Sequence, residues 1–175
     1  MLNLGASRMN KLFYALLALV LLLTGCGYST TELYPTRYTT VTVPNFENRS
    51  NDRTIEFTLR EALIKELEQR TPYKAVSGTG LSDTQLTGTV VRVDRTLLSR
   101  DATAGLPQEI EVTVTVDFQW RDLRTGQVIR SYRGLSSSGQ FVPNRTVGEF
   151  GDDGVRLAVS RLATDIVSRL RDDGW

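Results

Sequence analysis

Histidine is absent from all 175 residues, and cysteine occurs once, at position 26. Without an imidazole, the Ser-His and Cys-His nucleophilic pairs and histidine-based zinc sites are excluded. One cysteine excludes an intramolecular disulfide, so any folded domain here must depend on its apolar core. Excess charge of one sign is also missing: 21 basic residues face 20 acidic ones. That balance argues against nucleic acid as a partner. Phosphate-loop chemistry is lacking too, because Gly78-Thr79-Gly80 has no lysine followed by serine or threonine at the required spacing.

One long apolar run is present, Leu12 to Leu23, preceded by Arg8 and Lys11 and followed by Leu23-Thr24-Gly25-Cys26. A hydrocarbon core needs about 20 apolar residues to span it, and this run is shorter. A basic start, a short apolar stretch and small residues at its end describe a secretion signal. Leu-Thr-Gly-Cys resembles a bacterial lipobox. That resemblance implies cleavage before Cys26, a diacylglyceryl group on its thiol, and a covalent lipid as the only non-protein group, with no cofactor or metal. Two or more acyl chains are needed for stable attachment, which a lipidated and N-acylated cysteine supplies. Gly27 stands where lipoproteins retained at the inner membrane carry aspartate, so the outer membrane is the expected destination. Met9 is an alternative start that would give a more compact signal.

Residues 1–25 are thus expected to be signal peptide, 26–38 a lipidated tether, and 39–175 one domain. Removing the signal takes Arg8 and Lys11 and no acids, leaving 19 basic against 20 acidic residues over 150 positions. A domain of that size buries about 70% of its unfolded surface.

Thr39 to Phe46 alternates valine with threonine and predicts a first strand, with Pro44 at its end or on an edge. Asn51 or Asp52 is placed to cap a helix whose apolar positions are Ile55, Leu59, Ala62, Leu63 and Leu67, ending at Thr71-Pro72. Tyr73 to Val76 can form a short strand before a loop at 77–83. Leu86 to Leu98 is a strand whose apolar phase changes between Val90 and Val91, which predicts a bulge or a strand covered on both faces. Ser99 to Gln108 then connects to the clearest strand, Glu109 to Trp120, with Ile110, Val112, Val114, Val116, Phe118 and Trp120 on one face and polar residues on the other. Gly126 occupies the left-handed position of the hairpin that follows, and Val128 to Leu135 returns. Residues 134–144 extend that strand or form a loop. Asp152 and Asp153 are placed to cap a last helix with a wide stripe from Val155 to Leu170. The order β-α-β-β-β-α predicts an α+β, two-layer sandwich: a mixed sheet of about four strands with both helices on one face.

Catalytic signals are poor. Asp152-Asp153 sits where helix caps belong, and Glu109 with Glu111 lies on a polar strand face, so no enzyme activity is expected. Asn48-Arg49-Ser50 and Asn144-Arg145-Thr146 match a glycosylation pattern that has no force in a bacterial lipoprotein. Arg92, Arg95, Arg100, Arg130 and Arg133 fall in strands and loops expected to be neighbours. Arginine forks suit phosphate, so these five are candidate contacts for lipopolysaccharide or another anion. Cross-strand pairing with residues such as Asp94 and Asp101 on a solvated face is the plainer reading.

Gly25-Cys26-Gly27-Tyr28, Val41 through Arg49 (Val-Thr-Val-Pro-Asn-Phe-Glu-Asn-Arg), Leu59 through Leu67 and Leu86-Thr87-Gly88-Thr89-Val90 together resemble the LptE family of lipopolysaccharide-assembly lipoproteins. The resemblance implies a helix-backed sheet anchored by Cys26 in the inner leaflet of the outer membrane. It further implies insertion as a plug into the LptD β-barrel, which delivers lipopolysaccharide to the cell surface. Such a plug sits inside the lumen or on the periplasmic side and needs a polar exterior, because barrel lumens are polar. Two other readings are a different periplasmic interaction lipoprotein, such as a cell-wall synthase activator or a secretion-pore component, and a lipoprotein that binds a soluble ligand. A single small domain without an interdomain cleft disfavours the last.

Overall fold

The computed structural model describes residues 34, 35, 37–100, 107–142 and 152–171. All of them belong to the compact unit Leu33–Trp175. Cys26 and the signal lie outside the described residues.

Among the described residues, six strands and two α-helices form an α+β arrangement: β1 (Thr40–Thr42), β2 (Glu47–Asn48), α1 (Ile55–Arg70), β3 (Lys74–Ala75), β4 (Thr84–Arg100), β5 (Pro107–Asp122), β6 (Val128–Phe141) and α2 (Asp152–Ser168). The sheet runs β3-β1-β4-β5-β6, with β2 pairing β4 further along the edge that β1 begins. β1 lies parallel to β3 and β4, and β2 parallel to β4, whereas β4, β5 and β6 are antiparallel.

Six strands instead of about four arise because the expected first strand divides and the Tyr73 region pairs. Pro44 has no N–H to donate. The chain leaves the sheet after Thr42 and rejoins it at Glu47, while the side chains of Val43 and Phe46 turn into the core. Tyr34 and Tyr38, which fall within the expected tether, are both buried.

The predicted break of phase in β4 is a bulge. Val90 pairs with Val116 and Arg92 with Thr115, leaving Val91 as the extra residue, and it is exposed. β5 keeps its alternation, burying Val112, Val114, Val116, Phe118 and Trp120, and Gly126 adopts φ 73° in the hairpin. β6 continues through Phe141, so residues 134–141 extend the strand.

Helix α1 buries Ile55, Leu59, Leu63 and Leu67, a narrow stripe at spacing four. Neither Asn51 nor Asp52 caps it: Thr54 holds the N-cap position without a side-chain cap. Helix α2 buries Val155, Ala158, Val159, Leu162, Ala163, Ile166 and Val167 against α1, β5 and β6. Asp152 begins α2 and Asp153 falls in its first turn, paired with Arg156, so Asp153 does not precede the helix as a cap. Close approach of α2 to β6 depends on Gly139, where a Cβ would stand 2.7 Å from the Gly154 carbonyl oxygen and 2.8 Å from the Ala158 nitrogen.

Candidate functional site

Of the residues that carried the family resemblance, Val43, Phe46, Asn48 and Gly88 form a structural clip, while Gly25 to Tyr28 lie outside the described residues. Phe46 is 3% exposed and lies over Gly88 of β4. The Val43 carbonyl accepts the Arg60 Nε–H of α1 at 2.9 Å. Asn48 uses both ends of its amide. Nδ2 donates to the Asp52 carbonyl at 2.5 Å and to Glu56 Oε2 at 2.8 Å, while Oδ1 accepts the Ser50 N–H at 2.9 Å and its hydroxyl at 2.7 Å. One side chain thus shapes the turn into α1.

A second set of contacts fastens the N-terminal entry. Asp83 Oδ2 accepts the Thr39 N–H at 2.9 Å, the Thr40 N–H at 3.1 Å and both threonine hydroxyls at 3.0 and 3.1 Å. Those bonds, Thr39 foremost, hold its pKa down to about 2. Asp122 is buried, which pulls its pKa up. The backbone N–H groups of Thr125 and Arg124 and the Tyr38 hydroxyl more than offset this, and the net shift is downward. Around Tyr38 the rings of Trp120, Tyr73 and Tyr34 follow one another edge-on or tilted, at 5.6–5.7 Å between centroids. Asp122-Leu123-Arg124-Thr125-Gly126 carries the local signature of a carboxylate that accepts from the backbone two and three residues on. Asp83 offers no such signal, because its partners lie more than forty positions away.

The sheet face away from the helices is polar. Thr87 and Thr89 of β4, Glu111, Thr113, Thr115, Asp117 and Gln119 of β5, and Ser131, Ser136, Ser138 and Gln140 of β6 share it by register. A shallow depression of about 370 Å³ on this face is lined by Thr87, Thr89, Asp117, Gln119, Ser131 and Arg133.

The five candidate arginines do not converge. The bulge at Val91 reverses the phase of β4, so Arg92 takes the open face and pairs with Asp94, while Arg95, opposite Val112, takes the helix face and pairs with Asp52 at 3.0 Å. Arg130, opposite Trp120, also lies on the helix face, eight positions further along β5 than Arg95's partner. At ~3.4 Å per residue that separates the two by roughly 27 Å along the strand. Arg133 sits on the open face, and Arg100 is opposite Pro107 at the far end of β4. Among the described residues, no group of three His, Cys, Asp or Glu is arranged to hold a metal, and no helix is long and apolar enough to cross a membrane.

These features define a small two-layer domain with a buried helix-facing sheet surface, a polar outer one, and an N-terminal entry tied into the core. Residues 38–170 match the LptE family, described as lipopolysaccharide-assembly, and the chain belongs to that family. Solved structures share the fold. A PelC dodecamer from Paraburkholderia phytofirmans superposes with TM-score 0.52 at 15% identity over 79% of this chain and 93% of that one. A hypothetical protein of Chlamydia trachomatis gives 0.51 at 10% identity over 76% and 95%. A minor lipoprotein of Acinetobacter baumannii gives 0.50 at 19% identity over 77% and 93%. No curated protein matches the sequence significantly.

Proposed function

We propose that this protein is an outer-membrane lipoprotein, acylated on Cys26, that plugs an LptD-type barrel, assists its assembly and so serves delivery of lipopolysaccharide to the cell surface. It acts as a structural partner and not as an enzyme. Membership of the LptE family over residues 38–170 carries this reading.

The physical character of the domain is consistent with it. A body that sits in a water-filled barrel lumen must keep its own core and present polar side chains to the wall. The threonine, serine and glutamine rows on the outer face of β4, β5 and β6 meet that requirement, while Val112 to Trp120 keep the core on the other side.

Affinity purification of the protein from outer membranes in mild detergent, followed by mass spectrometry, tests the proposal. The expected result is a large β-barrel in about equimolar amount. Recovery of a cell-wall synthase or a secretion component in place of a barrel would overturn it.

A further inference from the structure

β6 is the last strand of the sheet, and among the described residues nothing pairs along its outer side. Alternate residues of such a strand aim their N–H and C=O groups away from the sheet, a template for another strand unless charge, proline or a bulge spoils it. The edge of β4 beyond its pairing with β2 is spoiled in this way, by Arg92, Asp94, Arg95 and Arg100 and by register shifts at Val91 and Leu98. So is the first half of β6, which carries Arg130 and Arg133 and has register shifts beside Ile129 and Gly134. Leu135 to Phe141 differs. This Leu-Ser-Ser-Ser-Gly-Gln-Phe segment has no charge and no proline, and it keeps an unbroken register against Val116 to Ile110 of β5.

The segment is complementary to itself. Its limits are the irregularity at Gly134 and the strand's end at Phe141, so its midpoint is Ser138. Directly opposed residues of an antiparallel pair share a face. A second copy turned about a two-fold axis through Ser138 therefore sets Ser138 against itself and Ser136 against Gln140 on the open face. On the helix face it sets Ser137 against Gly139 and Leu135 against Phe141, the two partly buried apolar residues of the segment. Charge matches across the same axis. Arg161 of α2 donates to the Ser138 carbonyl at 2.7 Å, and Asp165, four positions on, accepts the Ser137 hydroxyl at 2.8 Å. The two-fold brings Arg161 beside Asp165 of the second copy, and in moving onto it Arg161 releases the Ser138 carbonyl to the new ladder. We infer that residues 135–141 pair edge to edge with a second copy of this chain, forming an isologous dimer whose sheet runs through both. The inference does not rest on the proposed barrel.

The test uses the mature acylated chain in mild detergent, where the lipid blocks the thiol of Cys26 and an introduced cysteine is the reactive one. The chain without an introduced cysteine sets the background. A short bis-maleimide is expected to link Ser138→Cys to its own copy, and to link Ser136→Cys with Gln140→Cys when the two variants are mixed. Ser131→Cys, on the same face of β6 but outside the segment, should stay at background. Arg161→Asp should lower the Ser138→Cys yield about tenfold, since two ion pairs are lost and like charges replace them. Adding Asp165→Arg should restore it. Failure of Ser138→Cys to link would overturn the inference. Equal linking at Ser131→Cys would overturn it as collision within micelles, and a yield indifferent to the charge swap would overturn the two-fold register. In outer membranes, linking of Ser138→Cys to a barrel and never to a second copy would also overturn it, and would give the edge to the proposed partner.

Discussion

Phe46 lies so close to Gly88 that a Cβ built on the glycine would overlap the ring, and the Asp117 carbonyl on the neighbouring strand closes the remaining space. The aromatic residue of Val-Thr-Val-Pro-Asn-Phe and the glycine of Leu-Thr-Gly-Thr-Val are therefore two halves of one contact. Overfilling such a site costs about 1–3 kcal/mol. Gly88→Ala is expected to lower stability by that amount in urea denaturation, without a change in slope, because a backbone carbonyl cannot move aside as a flexible side chain can.

Asn48 makes four hydrogen bonds that shape the turn into α1. Removing its amide leaves the Asp52 carbonyl and the Ser50 N–H without their partner. Asn48→Ala should cost about 1–3 kcal/mol, read as a lower melting temperature. Partner recovery at low temperature should persist, since the side chain holds the fold and is not proposed to touch the barrel. Full stability in the variant would show that Asn48 is dispensable to the turn.

Asp83 titrates at about 2 in the folded protein, below the ordinary carboxylate range, because Thr39 and Thr40 donate to it. A carboxyl whose folded pKa is depressed adds stability that is complete above its unfolded pKa, near 3.9, and is lost as pH falls through the folded value. Between about pH 4 and pH 2 the native protein should therefore lose stability. Asp83→Asn should be less stable at pH 7 and show a shallower decline across that window. Urea midpoints measured from pH 7 to pH 2 check both statements, and parallel curves would contradict the assigned role.

Cys26 is the only thiol, and its acylation is the proposed anchor. Cys26→Ser should abolish acyl labelling and move the protein from the membrane to the soluble fraction. Unchanged labelling and membrane attachment would refute the lipobox assignment.

Local pattern and tertiary structure divided the information in a physically intelligible way. Alternation from Val112 to Trp120, the helical spacing from Ile55 to Leu67 and from Val155 to Leu170, the slip at Val90 and Val91, and the glycine of the hairpin were all legible in the sequence. Each is imposed within a few residues by backbone geometry and by the need to bury one face.

What only the tertiary structure decided depends on partners far along the chain. β1, β2 and β3 are two or three residues long, too short for a period to register, and exist because β4 supplies their ladders or, for β3, because β1 does. The five arginines are close in predicted strands, yet Arg92 and Arg95, like Arg130 and Arg133, are three positions apart and alternate between faces, and the bulge at Val91 decides which of the β4 pair takes the open one. A one-residue slip reverses every side chain beyond it. The Asp83 clamp and the Phe46–Gly88 contact join segments that loop closure brings together only after the sheet has formed. The sequence by itself thus determined which residues go inward and the two-layer class. Which polar residues meet, and which strand edge stays open, was decided by the packed fold, because those are properties of register and approach between distant strands.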